Sequence, residues 1–328
     1  MRYELLGSSL LFAGLMVLWA LFTGFSRLIW RALRERLVHW TAAARARGLF
    51  VLLVGPWLGA VSCTLGILLP AYLVNEPEVT EEPLRWSLLL PALLGLTALL
   101  RAVYRAGAAW RSTHRLVEGW KQDATLVHIP GVNTPIWRIQ HPLPLVAVVG
   151  LVRPQMFVAA HLFTQLSAEE LAAVLQHERW HLTSYDNLQR VGVDFCRLLP
   201  GGRALEQEWH ESVEMTADEF AARSSPHSAL DLASALVKIA RLFPVGASIT
   251  MPPTVSTVLL EDSSLARRVR CLMQLGGAPP LSTSRRLEKA LPGAMLVLFL
   301  LLIVLTSLQP EALRAVHHGV EMIVTHLP

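Results

Sequence analysis

Leu175–Asn187 reads L-Q-H-E-R-W-H-L-T-S-Y-D-N and holds His177, Glu178 and His181 in the order H-E-x-x-H. In a helix, positions i and i+4 share a face, so both imidazoles can meet one metal ion and Glu178 can reach a water beside it. The spacing is that of a zinc hydrolase. A helix here has a start signal upstream. Ser167 is followed three residues later by Glu170, the pattern of a capping box, and Leu171-Ala-Ala-Val-Leu-Gln supplies helix formers.

A catalytic zinc takes three protein ligands and leaves a position for water. Candidates for the third lie in Glu208-Trp-His-Glu-Ser-Val-Glu-Met-Thr-Ala-Asp218. Glu214 and Asp218 are four apart, so Glu214 can bind metal while Asp218 holds a ligand imidazole from behind. His210 and Glu211 are rival ligands. Glu169, Glu170, Glu208 and Glu219 read as solvated helix-face charges.

Composition sets this stretch in a membrane chain. Hydrophobic residues make up 53% of the 328 and charged residues 16%, too apolar for an ordinary soluble domain. The net charge of +4 comes mainly from Arg clustered beside apolar runs, a topology signal rather than a nucleic-acid surface. Cys63, Cys196 and Cys271 have no ligand or paired spacing and read as free thiols.

In chain order, Leu5–Ser26 is an uncharged first span, read as uncleaved because no A-x-A site follows. Arg27–Gly48 is basic and by the positive-inside rule cytoplasmic. Leu49–Val74 is a second span, expected to kink at Pro56 and Pro70. The acidic loop Asn75–Arg85 fits the outer face. Trp86–Leu100 is a short third span that crosses if Arg101 snorkels, and Arg105, Arg111 and Arg115 return the chain to the inner side. Residues 116–284 then turn polar. Strand-like runs occur at Thr125–Ile129, Ile136–Ile139, Leu145–Val149 and Met156–Ala160, broken by signals such as Pro130-Gly131 and Gly150. Helices are expected after Ser167 and over Asn187–Leu199, Arg203–Arg223, Ala229–Phe243 and Ser264–Leu275. A fourth uncharged run, Ala290–Pro310, follows Arg285, Arg286 and Lys289 and leads outward to a weakly amphipathic tail, Ala312–Leu327.

The expected fold is therefore an α-helical membrane protein of four spans. Residues 1–115 carry three of them, 116–284 form a cytoplasmic α+β metallopeptidase domain, and 285–328 carry the fourth span and an extracytoplasmic tail. Both termini lie outside.

H-E-x-x-H followed by E-x-x-A-D (Glu214, Ala217, Asp218) resembles the gluzincin membrane peptidases, and within them the BlaR/MecR-type antirepressor peptidases. The order of three spans, zinc domain and fourth span is that family's arrangement. Arg153-Pro-Gln-Met-Phe-Val, Leu166-Ser-Ala-Glu-Glu-Leu-Ala-Ala-Val-Leu-Gln-His-Glu and Asp186 also look like theirs. HtpX-type and CaaX-prenyl membrane endopeptidases share the two motifs. The resemblance implies a gluzincin fold, one Zn²⁺ per chain, a bacterial inner-membrane location and a protein substrate, such as a transcriptional repressor. Those sensors continue past the last span into an antibiotic-binding domain. This sequence ends at Pro328, so β-lactam sensing does not carry over.

The chemistry expected of the residues is peptide hydrolysis. His177, His181 and Glu214 hold the metal, and Glu178 moves a proton from water to the leaving amine. Substrate pairs with a strand edge near Met156–Ala160, and His141, His161, His210 or an Arg faces the oxyanion. The partners are a protein or peptide and the lipid bilayer, with no direct nucleic acid. Two other readings stand beside this one. A metal-holding membrane scaffold would not need Glu178, and a transporter would carry ionisable residues in mid-span, which these runs lack.

Overall fold

The computed structural model describes residues 2–37, 39–76, 85–129, 134–198, 202–243, 256–257, 262–275, 297, 299 and 301–326. The chain is mostly helical with one small sheet. It divides into two compact units. The first comprises Met1–Tyr104, Phe195–Trp209 and Ser284–Pro328, and the second Arg105–Asp194 and His210–Thr283.

The first unit is built on apolar helices. α1 is Arg2–Leu37, and α2, Ala42–Cys63, starts where the Thr41 side chain accepts the Ala44 N–H at 3.3 Å. α2 runs through a π-helical turn, Thr64–Leu68, into α3, Leu69–Asn75. The π turn has a local cause. Pro70 has no N–H, and its ring would clash with the carbonyl four residues back in an α-helix. Pro56 lies inside α2, which continues past it to Cys63. Tyr72 ties α3 back to α1 by donating to the Tyr3 carbonyl at 2.7 Å.

α4 runs as one helix from Trp86 to Gln122, well beyond the expected end at Leu100. No proline interrupts Leu100–Gln122, and the Arg residues along it are good helix formers, so nothing stops propagation before the turn at Asp123. Its Gly95 meets α1 closely: a Cβ there would run into the Phe12 carbonyl oxygen. Three helical stretches, Tyr3–Leu37, Ala42–Asn75 and Trp86–Gln122, are long and apolar enough to cross a membrane. Two small clusters lie among them, a fully buried Trp19 against Leu15 and Ala60, and Leu6, Ala13, Tyr72, Leu88 and Ala92. Leu21, Phe25, Leu65, Leu73 and Leu90 stay exposed, as expected of side chains facing lipid. The predicted fourth span lies largely outside the described residues, although 301–307 are helical. The tail forms α11, Pro310–His326.

The second unit carries the strands, β1 Thr125–Val127, β2 Ile136–Ile139, β3 Val146–Val149, β4 Gln155–Ala159 and the two-residue β5 Ser256–Thr257, in the order β1-β2-β4-β3-β5. β2 and β4 are parallel, with Ile136 opposite Met156, and the remaining pairs are antiparallel. β4 therefore has a neighbour on each side. The expected substrate-pairing edge near Met156–Ala160 does not exist; the edges among the described strands are β1 and β5. The continuous apolar composition of β3 and β4 is what a strand covered on both faces needs, and all four β3 residues are buried.

After β4 come the short α5, Leu162–Gln165, then α6, Ala168–Ser184, and α7, Asp186–Phe195. α8 is Arg203–Ala222, α9 Ser228–Leu242 and α10 Asp262–Leu275. Phe157, Val174, Leu175, Leu232, Leu236, Ile239 and Leu272 meet in the core between sheet and helices. The three cysteines are free.

Candidate metal centre

α6 is fixed before it delivers any functional group. Ser167 Oγ accepts the Glu170 N–H at 3.2 Å, and Glu170 Oε2 accepts the Ser167 N–H at 2.9 Å, closing the capping box. Glu170 is not a solvated charge. It is buried and also takes the Ser234 hydroxyl at 2.6 Å and the Lys238 ammonium at 2.8 Å, both from α9. That double bond to α9 sets the rotation of α6. Val174, His177, Glu178 and His181 consequently all point inward and are buried.

One helical turn apart, His177 Nε2 and His181 Nε2 approach to 3.2 Å. Behind each ring stands a carboxylate. Asp218 Oδ1 is 2.9 Å from His177 Nδ1, and Asp186 Oδ2 is 3.2 Å from His181 Nδ1. An imidazole whose Nδ1–H is donated backwards presents a lone pair at Nε2. The two Nε2 atoms thus face one another, with Arg268 Nη2 3.5 Å from that of His177.

Glu214, from α8, completes the group. One oxygen lies 3.5 Å from His177 Nε2 and the other 3.7 Å from His181 Nε2. These three side chains could hold a metal ion. Donors 2.0–2.2 Å from a tetrahedral Zn²⁺ lie about 3.3–3.6 Å apart; the two Nε2 atoms at 3.2 Å are near that size, and Glu214 turns one oxygen to each ring at 3.5 and 3.7 Å. The rival ligands are engaged or placed elsewhere. Glu211 takes Arg267 Nη1 at 2.5 Å, and His210 is half-buried on α8 outside this group.

Charge explains how the group holds together. Burial disfavours the ionised Glu214, yet His181, His177 and Arg268 hold its carboxyl well below the ordinary range. Asp186 is likewise opposed by burial and drawn down to about 2 by Arg190 and His181. Asp218 is lowered against burial by Arg268, which grips it from Nε at 2.8 Å and from Nη2 at 2.6 Å. Burial works against a charged His177, but Asp218 and Glu214 outweigh it and raise the ring's pKa. A pull that favours a proton on that ring also favours a cation beside it.

Glu178 behaves differently. It is fully buried, and neither of its oxygens has a hydrogen-bond partner among the described residues. Burial pushes its carboxyl up to about 8. An unpartnered buried carboxylate costs stability and needs a reason to exist.

Arg268 and Arg190 escaped the sequence reading. Arg268 is buried on α10 and also reaches Glu214 Oε2 at 3.2 Å. Arg190, one turn into α7, binds Asp186 at 2.8 Å and Glu214 at 3.4 Å. A signal for Arg268 was present, since it sits in the apolar stripe Leu265, Val269, Leu272 of its helix. Asn187 was also missed. Its amide donates to the Val148 carbonyl at 2.8 Å and the Gly150 carbonyl at 3.2 Å, pinning α7 to the end of β3. Asp186 is thereby held where His181 needs it. The chain turns from α6 to α7 at Tyr185, whose φ of 53° is left-handed.

The other residues considered for the site serve locally. His141 Nδ1 accepts the Leu143 N–H at 3.2 Å, and His161 opens α5. Glu208 is not freely solvated, because Trp30 donates to it at 2.7 Å. Compared with protein-family models and with curated proteins, the sequence matches none. The chemistry of the centre is therefore read from its own residues.

Proposed function

We propose that the chain is a membrane-anchored zinc endopeptidase. The observation that carries this reading is Glu178, a buried carboxylate without a hydrogen-bond partner among the described residues, on one helix with two metal-capable imidazoles. A site built only to hold an ion gains nothing from such a group, whereas a hydrolase needs a base there.

His177, His181 and Glu214 hold the ion, with Asp218 and Asp186 orienting the two rings. Bound Zn²⁺ supplies the Lewis acidity that activates water and polarises a peptide carbonyl. Glu178 takes the proton as the water oxygen bonds to the carbonyl carbon. It gives that proton to the amine nitrogen as the C–N bond breaks, and two peptide ends leave. Arg268 lies 3.2 Å from Glu214 and offers a cation for a developing oxyanion.

The three apolar helices anchor the enzyme in a bilayer. The Arg-rich segments 27–48 and 101–115 favour the cytoplasmic side for the metal domain. A fourth span would put both termini outside. The substrate class is a protein, either a repressor whose cleavage switches on a gene or a membrane protein.

The test is metal content and casein or self-cleavage in detergent, wild type beside Glu178→Gln. The expected result is equal zinc in both proteins and cleavage by wild type alone. Equal zinc without cleavage by either would favour a metal-holding scaffold. Absence of zinc from both would end the reading.

A further inference from the structure

A second set of metal-capable side chains belongs to the first unit, where the C-terminus of α3 meets the middle of α11. Glu76 caps the C-terminus of α3, and α11 presents His317 and Glu321 one turn apart. His317 Nε2 lies 3.5 Å from Glu321 Oε1 and 3.7 Å from Glu76 Oε2. One donor atom from each residue falls within 4.8 Å of the others. The two separations from His317 Nε2 are close to those of donors sharing one small divalent ion, about 3.3–3.6 Å at tetrahedral angles.

Three features separate this group from a casual surface pair. The ligands come from helices more than two hundred residues apart in the chain, so their meeting is a tertiary event. The His317 and Glu76 side chains are only 11% and 9% exposed. His318, next to His317, reaches Glu321 Oε2 at 3.3 Å and can steady that carboxylate. By contrast His114 and Glu118 form an i,i+4 pair at 3.3 Å that is solvated on both sides, 62% and 65% exposed, and has no third ligand.

We propose that Glu76, His317 and Glu321 form a second metal site that takes a divalent transition cation of the zinc class and staples α11 to the end of α3. One imidazole with two carboxylates is a nitrogen–oxygen donor set suited to Zn²⁺ and related ions, and poorly suited to the softer Cu⁺. The site stands on its own residues and does not depend on any reading of the His177 centre.

The experiment counts metal on the full chain in detergent, after chelator stripping and reloading with Zn²⁺, in wild type, His317→Ala, Glu321→Gln and His114→Ala. Co²⁺ reloading provides an optical spectrum of the same site. Wild type should hold one equivalent more than His317→Ala and Glu321→Gln, while His114→Ala should match wild type. Zn²⁺ should also slow hydrogen exchange in α11 of wild type and not of His317→Ala. Equal metal in wild type and His317→Ala, or loss of the extra equivalent in His114→Ala, would overturn the proposal. Using two variants guards against misfolding, since Glu321→Gln keeps the shape of the tail helix.

Discussion

Replacing Asp218 by Asn should weaken metal binding about 10–100-fold, which is about 1.4–2.8 kcal/mol. The size follows from what the carboxylate holds. Its Oδ1 lies 2.9 Å from His177 Nδ1, and it accepts from Arg268 at 2.8 and 2.6 Å. Asn keeps one acceptor and turns an N–H₂ toward a donor, so at least one charge-assisted bond is lost, worth about 1.5–3 kcal/mol. The His177 ring is then free to rotate, and its Nε2 no longer has a fixed aim. Arg268 also loses a counter-charge inside the protein. Breaking a buried pair costs about 3–5 kcal/mol, and the lower end is expected because Glu214 still faces Arg268 at 3.2 Å. The assay is competition for Zn²⁺ against a chelating dye, paired with thermal unfolding of the metal-free protein. A Kd within twofold of wild type, as an order-of-magnitude bound on a lost orienting bond, would refute the idea that Asp218 aims the ring.

Glu170→Gln should destabilise the protein by about 1–3 kcal/mol by weakening the cap and stranding Lys238. Burial opposes the Glu170 charge, but Lys238, Ser234 and the Ser167 N–H hold its pKa below the ordinary 4.5. Its contribution is thus present above 4.5 and lost as pH falls below it, so wild type and variant should converge in acid denaturant titrations. Gly150→Ala should cost about 1–3 kcal/mol, read as a lower denaturation midpoint. Gly150 has φ +118°, and a Cβ there would meet the Arg153 carbonyl oxygen at 2.7 Å. Zn²⁺ at 100 times its Kd for the His177 centre should raise unfolding free energy by about 2.7 kcal/mol, a gain that chelation reverses and that the double variant His181→Ala, His317→Ala lacks.

Local signals carried the sequence reading well where one element decides the outcome. The Ser167–Glu170 pair and the i,i+4 imidazoles need only a helix, and the strand runs before them need only their own apolar composition. The reading failed where distant segments decide. Whether β4 lies at an edge depends on β3 returning beside it and β2 pairing in parallel on the other side. Glu170 looks like any first-turn glutamate until α9 brings Ser234 and Lys238 to it. Arg268 is separated from Asp218 by fifty residues, and no local pattern announces their pairing. The π turn before Pro70 was legible only as a disturbance, since proline forbids the regular ladder without dictating its replacement.

The buried charges around His177 and His181 have a further consequence when their signs are summed. Glu178, Asp186, Glu214 and Asp218 contribute four negative charges when ionised, and Arg190 and Arg268 contribute two positive. With all four ionised, as a cation beside the raised Glu178 carboxyl would favour, and both imidazoles neutral, the balance is two units negative. A divalent ion brings the set to neutrality, a monovalent ion leaves it short, and a trivalent ion overshoots. In an interior where uncompensated charge is costly, this arithmetic selects for ion valence before any ligand geometry is consulted.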